Sequence, residues 1–567
     1  MSAPKDLTEL RKFGGEEIEL VFRKLQKTAP TAMHYEPFQP GVTTENGVAC
    51  ERDVAVPLRD GTTIYTDVYR PVGSNNLPAI ICWSPFGKRH YYATTPIFLA
   101  LGVPPGTISR WAKFEAPDPA YWCYHGYAVI NPDARGAGNS QGDIACFGTQ
   151  EGRDGHDLVE WVAAREWSNG KVGMSGNSWV AMTQWLTAAE KPPHLTCIAP
   201  WQGCTDIYRE FVCMGGVPET GFNNFLLDML NGPGREEDYL AMAFKYPLIN
   251  AYWEDKIVRF QDIEIPAYVT AGWSHFHLRG SIEGFRRIAS PKKWLRVHRD
   301  FEWPDMYTPE NIEDLQRFFD RYLKEIHNGW EMTPRVRIDV MDARDVDYQL
   351  RRPEKEFPLE RTQYRKLFLD AGKNLLSVDP VKNEAATRYD AAKGQVNFAI
   401  KFDRDIELTG YMKLRLWVEA EGADDMDIFV AVQKLDEKGA FLPTLVLGEP
   451  HPGAPGLLRV SHRELDEKQS TPYQPFHTHR REQRLKPKEI VPVDIEIWPT
   501  SKLWHAGQQL RVVVSGHYVR EPGWFEPFAW ETRNKGAHII HTGGKYDSHL
   551  LVPEIPPRYT AGGYVQR

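Results

Sequence analysis

Hydrophobic and polar positions follow two different patterns in the two halves of the chain. Between residues 49 and 333, short apolar runs such as PAIICW (78–83) and TCIAPW (196–201) are separated by amphipathic stretches such as DGHDLVEWVAA (154–164). The apolar runs predict buried strands, and the amphipathic stretches predict helices. Strands that alternate with helices form a mostly parallel sheet covered on both faces, so the fold class of this half is predicted as α/β.

The second half of the chain has a different pattern of apolar and polar residues. Segments such as RVRIDVMD (335–342), MKLRLWVEA (412–420) and QLRVVVSGHY (509–518) alternate apolar and polar residues and are separated by turn residues. This period of two predicts antiparallel strands, and no long helical pattern intervenes. We therefore predict an all-β sandwich of jelly-roll type over residues 334–567, beginning just after Asn328-Gly329.

Two segments depart from the strand–helix alternation of the first half. Residues 1–48 contain LTELRKFGGEEIELVFRKLQK and a proline-containing linker, and we interpret them as an N-terminal helical extension. Residues 201–262 are rich in aromatic residues, Met and Gly and have a helical texture. This insert follows a strand's carboxyl end, where α/β sheets bind ligands, so it is predicted to form a helical cap.

Charge and cysteine content narrow the function classes. The 567 residues carry a formal net charge of −8, which disfavours a nucleic-acid-binding surface. No apolar run reaches the ~18 residues of a membrane-spanning helix. The seven cysteines form no C-x-x-C pair, so neither a zinc site nor a disulfide framework is indicated. We expect a reduced, cytoplasmic protein with no cofactor, no metal and neither nucleic-acid nor membrane partners.

The segment KVGMSGNSWVAMTQW (171–185) carries the strongest chemical signal. Gly176, Ser178 and Ala181 lie where a predicted strand passes into a predicted helix. Small residues around a serine suit a sharp, strained turn that projects the hydroxyl as a nucleophile, although an ordinary strand–helix turn is the alternative. The Trp179 backbone N–H, at the start of the helix, would point toward a developing oxyanion.

The order of several motifs resembles a known family. GRDGHDLVEWVAAREWSNGKVGMSGNSW (152–179), DARGAGNSQGD (133–143), RFFDRYLKEIHNGW (317–330) and LWHAGQQLRVVVSG (503–516) are similar to segments of the cocaine esterase, α-amino-acid ester hydrolase and X-Pro dipeptidyl-peptidase family. The resemblance implies an α/β-hydrolase core (49–200 and 263–333), a helical cap and a C-terminal jelly roll. It also implies acyl transfer from esters or amides to water through Ser, His and Asp.

This chain departs from the family pattern at the catalytic positions. The loop WSPFGKRH has Phe86 where the family usually offers a tyrosine hydroxyl to the oxyanion, which leaves the backbone of Trp179 and Phe86 as donors. The usual acid position, after VTAGW, lies in Ser274-His275-Phe276-His277, without a carboxylate. The usual histidine position falls on Glu302. The imidazole and carboxylate groups are thus exchanged between two loops.

Two catalytic arrangements remain open. In one, Ser178 is the nucleophile, His277 the base and Glu302 the group that orients it. In the other, His298 is the base and pairs with Asp206 or Glu302. A serine needs a neighbouring base, and the base needs a partner that fixes its tautomer.

The cap is expected to contribute an apolar pocket over Ser178 from Trp201, Tyr208, Phe211, Met214, Phe222 and Phe225. Trp201 and Phe222, together with Trp273 just beyond the cap, are the expected substrate-binding residues. The substrate would then be a small ester or amide with an apolar or aromatic group.

Three functions fit these features. The first is a serine hydrolase of esters or amides, and the second is an acyltransferase or cyclase that uses the same nucleophile. The third is a non-catalytic binding protein that keeps the fold, because fold alone does not choose among them. Dipeptidyl-peptidase activity is disfavoured because no N-terminal carboxylate pair is evident. Substrate identity and self-association are left open.

Overall fold

The computed structural model describes residues 7–25, 37–89, 98–519, 528–559 and 565–566. The strands of the first half are β1 (Thr8–Phe13), β2 (Glu16–Lys24), β3 (Gly41–Glu45), β4 (Val48–Pro57), β5 (Thr63–Pro71), β6 (Leu77–Ile81), β7 (Ala128–Pro132), β8 (Ser168–Asn177), β9 (Leu195–Trp201), β10 (Arg235–Glu237), β11 (Ala267–Gly272), β12 (Lys293–His298), β13 (Val336–Met341) and β14 (Asp347–Glu354). The helices are α1 (Pro119–Tyr124), α2 (Thr149–Ala163), α3 (Ser178–Ala189), α4 (Gly221–Asp228), α5 (Tyr239–Lys245), α6 (Ala251–Asp255), α7 (Leu278–Arg287), α8 (Glu302–Tyr307) and α9 (Pro309–Leu323).

The strand pairings confirm the predicted α/β core. Strands β7, β6, β8, β9, β11, β12 and β13 pair in this order and are all parallel. Antiparallel strands border this parallel set, β5 on β7 and β14 on β13. Strand β8 is central and is buried from Val172 to Asn177, so its carboxyl end is surrounded by the ends of its parallel neighbours. Ligand sites of such sheets form at this edge.

The C-terminal part of the chain is an all-β unit, as predicted, although RVRIDVMD (335–342) lies outside it, because β13 pairs parallel with β12 and continues the sheet of the α/β core. Its strands are β15 (Gln363–Asp370), β16 (Leu375–Ser377), β17 (Ala385–Asp390), β18 (Gln395–Lys401), β19 (Ile406–Glu421), β20 (Asp427–Leu435), β21 (Leu445–Val446), β22 (Glu449–Pro450), β23 (Ala454–Arg459), β24 (Val491–Trp504), β25 (Gln509–Ser515), β26 (Ala537–Thr542), β27 (His549–Ile555), β28 (Arg558–Tyr559) and β29 (Val565–Gln566). Strand β19 pairs with β24, β26 and β27, all antiparallel, and β25 pairs antiparallel with β18 and β20. The inward residues of these strands form an apolar core of their own.

The prediction of an N-terminal helix is wrong. Residues 8–24 form the antiparallel hairpin β1–β2, and β10 from the cap region adds a third strand to it. Ile18, Leu20 and Phe22 alternate with exposed or half-buried residues, which is the period of a strand, and Gly14 and Gly15 both have positive φ in the turn. The alternation outweighs the helix-forming character of Glu, Leu and Lys.

The predicted cap contains helices, but they are short. Within residues 201–262 the structure places α4, α5 and α6 together with β10. Among the described residues, no helix is long and apolar enough to cross a membrane.

Candidate active site

Ser178 lies at a strained turn between β8 and α3. Its φ is +53°, a left-handed conformation that a residue with a side chain rarely adopts. Gly176 has φ +145°, and a Cβ there would lie 2.3 Å from Val180 Cγ1 and 2.7 Å from the Glu115 carbonyl oxygen. The Ser178 N–H donates to the Gln202 carbonyl over 2.8 Å, which closes the turn onto the end of β9. This is the geometry of a nucleophile elbow.

The structure brings His277 to the Ser178 hydroxyl. His277 Nε2 lies 3.2 Å from Ser178 Oγ, and its Nδ1 lies 3.2 Å from Cys204 Sγ. For Nε2 to accept the serine proton, the ring must carry its own proton on Nδ1, so Nδ1–H donates to the Cys204 sulfur. Ser178 is half-buried and His277 is fully buried. Burial lowers the pKa of His277 to about 3, so the ring is neutral near pH 7.

Glu302 does not orient His277 as expected. Glu302 Oε1 lies 3.5 Å from His275 Nε2, and among the described residues it is Cys204 that meets His277 Nδ1. The His277 backbone N–H donates to His275 Nδ1 over 3.2 Å, which leaves the His275 proton on Nε2, facing Glu302. The expected Ser178–His277 contact is therefore present, and the expected His277–Glu302 pair is not formed.

The alternative built on His298 is also corrected. His298 Nε2 lies 3.2 Å from Asp305 Oδ2 and 3.1 Å from Gln202 Nε2. Side chains two apart on a strand share a face, so His298 lies on the same side of β12 as Arg296, which also pairs with Asp305. Asp206, the other expected partner of His298, pairs instead with the nearby Arg209 at 2.7 Å.

Glu115 belongs to the site but was missed by the sequence analysis. Its carbonyl accepts the Asn177 N–H over 3.0 Å, and its carboxylate accepts the Trp303 indole N–H over 3.0 Å. Burial raises the pKa of Glu115 to about 8, an effect partly opposed by hydrogen bonds from Trp303 and Ser178. Burial, reinforced by Glu115, also raises the pKa of Glu302 well above its usual range. No motif marks Glu115, because its partners come from distant parts of the chain.

The loop that contains Phe86 is held by buried ion pairs. Lys88 N–H donates to Asp133 Oδ1 over 2.8 Å, and the Lys88 ammonium group also contacts Asp133. Next to it, Arg89 binds Asp67 at 2.6 Å. The Phe86 ring is buried edge-on against Trp179, with ring centroids 5.8 Å apart. Asp133 thus fixes the loop backbone beside the start of α3, and the Phe86 ring offers no donor.

A cavity of about 110 Å³ lies between the loop 273–279 and the C-terminal β unit. His275 and Phe276 line it, whereas Ser178 is not on its wall. Trp273 also lines it, while its indole N–H donates to the Asp339 carbonyl over 2.8 Å. From the cap, Met214 contributes to the wall. The cavity therefore adjoins the catalytic loop, with aromatic walls drawn mostly from outside the cap.

The other expected substrate-binding residues differ in their placement. Trp201 is fully buried, and its ring contacts Tyr268, so its assignment to the substrate pocket is wrong. The reason is that Trp201 ends β9 with its side chain in the core of the sheet. Phe222 packs on Phe276 (ring centroids 5.1 Å apart) and on Phe528, beside the catalytic loop.

Comparisons with known proteins agree with this architecture. Residues 60–232 match the X-Pro dipeptidyl-peptidase (S15 family) domain, and residues 328–551 match the X-Pro dipeptidyl-peptidase C-terminal non-catalytic domain. A crystal structure of a CocE/NonD family hydrolase from Staphylococcus aureus is 36% identical, with a TM-score of 0.85 over 90% of this chain and 94% of that chain.

Two further relatives are more distant. Cocaine esterase from Rhodococcus sp. (strain MB1 Bresler) is 22% identical over 89% of this chain and 98% of the relative. An α-amino-acid ester hydrolase structure is 15% identical, with a TM-score of 0.65 over 91% of this chain and 98% of that chain, and shows the shared fold.

Proposed function

Because the chain belongs to the CocE/NonD family of hydrolases, we propose that it hydrolyses small esters through an acyl-enzyme on Ser178, with His277 as the base. The chain is a serine hydrolase of ester or amide bonds. The observation that supports the residue roles is the 3.2 Å contact between Ser178 Oγ and His277 Nε2 at a strained elbow. This distance is at the limit of hydrogen-bond reach that a nucleophile and its base require.

Both half-reactions of ester hydrolysis follow from this geometry. Ser178 Oγ attacks the carbonyl carbon while His277 Nε2 takes the hydroxyl proton, and the carbonyl oxygen becomes an oxyanion. The Trp179 N–H at the start of α3 and the Phe86 backbone N–H are the proposed donors to that oxygen. His277 then returns the proton to the leaving alcohol, and the acyl group stays on Ser178. Attack by water, deprotonated by the same imidazole, releases the acid and restores the serine.

The partner of His277 supports esters over amides. A carboxylate would stabilise the imidazolium formed during attack, whereas the Cys204 thiol offers a neutral sulfur whose pKa is raised well above its usual range by burial. Loss of the carboxylate in a serine triad costs about 10⁴ in kcat. A weak base activates the serine hydroxyl poorly, so the more electrophilic carbonyl of an ester with a good leaving group suits this site better than an amide.

The neighbouring cavity supports an apolar or aromatic substituent on the substrate. Trp273, Phe276, Trp498 and Phe528 contribute to its wall, and it begins at the loop that holds His277. An acyl or alcohol group that extends from Ser178 past Phe276 would enter it. We also propose a cytoplasmic location, because all seven cysteines are buried and free.

The experiment that tests this function uses a fluorophosphonate, which reacts with activated serines, followed by peptide mass spectrometry. The adduct is expected on Ser178 and should vanish in Ser178→Ala. Ser274→Ala is the matched control, because Ser274 is half-buried on the catalytic loop and lines the cavity. Labelling of Ser178→Ala at the wild-type level, or loss of labelling in Ser274→Ala alone, would contradict the proposal.

A further inference from the structure

The proposed base His277 converges with two side chains, His275 and Glu302, that the proposed mechanism does not use. His275, His277 and Glu302 each offer a ligand atom, and these atoms all lie within 4.8 Å of one another. All three side chains are buried, with 5%, 0% and 3% of their residue surface exposed. His275 and His277 lie on the loop after β11, and Glu302 begins α8 after β12, so adjacent parallel strands deliver them to one edge.

Two of these side chains carry buried polar atoms without a hydrogen-bond partner. His275 Nε2 and Glu302 Oε2 have none in the described part of the chain, and the contact between His275 and Glu302 is 3.5 Å. A buried polar atom without a partner costs about 1–3 kcal/mol, so such atoms in a folded protein call for an explanation. Both atoms belong to the convergent group, and an imidazole nitrogen and a carboxylate oxygen are atom types that coordinate metals. Coordination through His275 Nε2 would move the ring proton to Nδ1 and break the 3.2 Å hydrogen bond from the His277 N–H, at a cost of about 1 kcal/mol.

The chemistry of the group suits a divalent transition metal. Two imidazoles and one carboxylate form a common ligand set of Zn²⁺, Co²⁺ and Fe²⁺ sites with an open position. Bond lengths near 2.1 Å place neighbouring ligand atoms of a tetrahedral Zn²⁺ about 3.4 Å apart. The observed upper limit of 4.8 Å is wider, whereas His275 Nε2 and Glu302 Oε1 are already 3.5 Å apart, so a bound ion would draw the three side chains closer together.

We propose that His275, His277 and Glu302 form a binding site for a divalent transition metal such as Zn²⁺, and that the bound ion inhibits hydrolysis. A neutral imidazole has one nitrogen lone pair, because the other nitrogen carries the proton. A metal that takes this lone pair of His277, on either nitrogen, leaves none to accept the proton of Ser178. The inhibitory effect rests on the proposed function, whereas the binding itself does not.

The test for binding is titration of the metal-free protein with Co²⁺, followed by its visible absorption, with Zn²⁺ as the competitor. One equivalent of Co²⁺ should bind with a visible band typical of low coordination number, and Zn²⁺ should abolish the band. His275→Gln and Glu302→Gln should each weaken binding by about 10²-fold or more. His451→Gln, on the cavity wall outside the group, is the matched control and should bind as the wild type does.

Activity is measured separately, as hydrolysis of 4-nitrophenyl acetate with and without Zn²⁺. Stoichiometric Zn²⁺ should abolish turnover of the wild type, and a chelator should restore it. Absence of Co²⁺ binding, or wild-type binding in both variants, would overturn the site. Binding that leaves turnover unchanged or raises it would overturn the inhibitory role. If the fluorophosphonate does not label Ser178, the proposed function fails, yet the Co²⁺ titration still decides the site.

Discussion

Cys204 Sγ lies 3.2 Å from His277 Nδ1, at the place where a serine triad has a carboxylate oxygen. The thiol is fully buried and can fix the imidazole tautomer by accepting a hydrogen bond. It cannot supply the negative charge that stabilises the imidazolium. His277 is therefore correctly placed to act as the base, but Cys204 does not stabilise its protonated form as a carboxylate would.

Removal of the Cys204 sulfur should lower kcat modestly. Cys204→Ala leaves His277 Nδ1 without its acceptor, and a hydrogen bond worth about 1 kcal/mol corresponds to a decrease of about 5- to 10-fold in kcat. KM should stay within about twofold, because the thiol does not lie at the Ser178 hydroxyl. Steady-state kinetics with an aryl ester measures both, and Cys213→Ala, another buried free cysteine, is the control. An unchanged kcat in Cys204→Ala would show that the sulfur does not position the base.

Substitution of the two candidate histidines should lower kcat to very different extents. His277→Gln should lower kcat by about 10³-fold, within the range of general base catalysis. His298→Gln should lower it far less, because His298 meets Asp305 and Gln202 and not the serine. Thermal unfolding of both variants, recorded beside the kinetics, separates a folding defect from a catalytic one. Equal losses in two well-folded variants would refute the assignment of the base.

The dependence of kcat/KM on pH should be unusual for an imidazole base. Because burial holds the pKa of His277 at about 3, the base stays deprotonated through pH 5–7, and the usual acid limb near pH 6.5 should be missing. At the alkaline end, the pKa of Glu115 is raised to about 8 by burial, so this carboxyl loses its proton above that pH. A new negative charge in contact with Ser178 disfavours the oxyanion formed during attack and should lower the rate.

Glu115→Gln tests the origin of the alkaline limb. The glutamine is neutral at every pH, so kcat/KM should remain flat to about pH 9 in this variant. Rate profiles of the wild type and the variant in the same buffers decide the matter. If both profiles fall together above pH 8, Glu115 does not cause the alkaline limb. If the wild type shows an acid limb near pH 6.5, the pKa of its base is not lowered by burial.

A hydroxyl added at the oxyanion loop should raise activity. Phe86→Tyr restores the side-chain donor that the resembled family carries, and one oxyanion donor is worth about 10²–10³ in kcat. Since the ring is buried against Phe114 and Trp179, part of this gain is lost to repacking, and an increase of about 10-fold is expected. Phe114→Tyr adds the same group on the neighbouring ring and should give no gain. A lower kcat in a stable Phe86→Tyr protein would place the oxyanion elsewhere.

Features carried by one local stretch of sequence were predictable. The elbow at Ser178 and the alternation of strands and helices each depend on residues close together in the chain, and both appear in the structure. The N-terminal hairpin was predicted as a helix, although the alternation at Ile18, Leu20 and Phe22 is present in the sequence. Its third strand comes from the cap, more than two hundred residues later, and no local pattern reveals that pairing.

The partners within the site were not predictable, because they depend on contacts between distant loops. The sequence predicts that His277 and Glu302 lie at the same edge of the sheet. In the structure Glu302 contacts His275 and not His277. Cys204 follows β9 and Glu115 precedes α1, and neither carries a motif. The contact of Cys204 with His277 exists only once the two loops are folded together.

The structure of the phosphonylated enzyme tests the central claim most directly. The account predicts continuous density from Ser178 Oγ to phosphorus, and a phosphonyl oxygen about 2.7–3.1 Å from the Trp179 nitrogen. His277 Nε2 should lie within hydrogen-bond distance of the Ser178 oxygen. An adduct on another residue, or a Ser178 adduct whose nearest proton acceptor is Glu115 or Glu302 with His277 turned away, would contradict it.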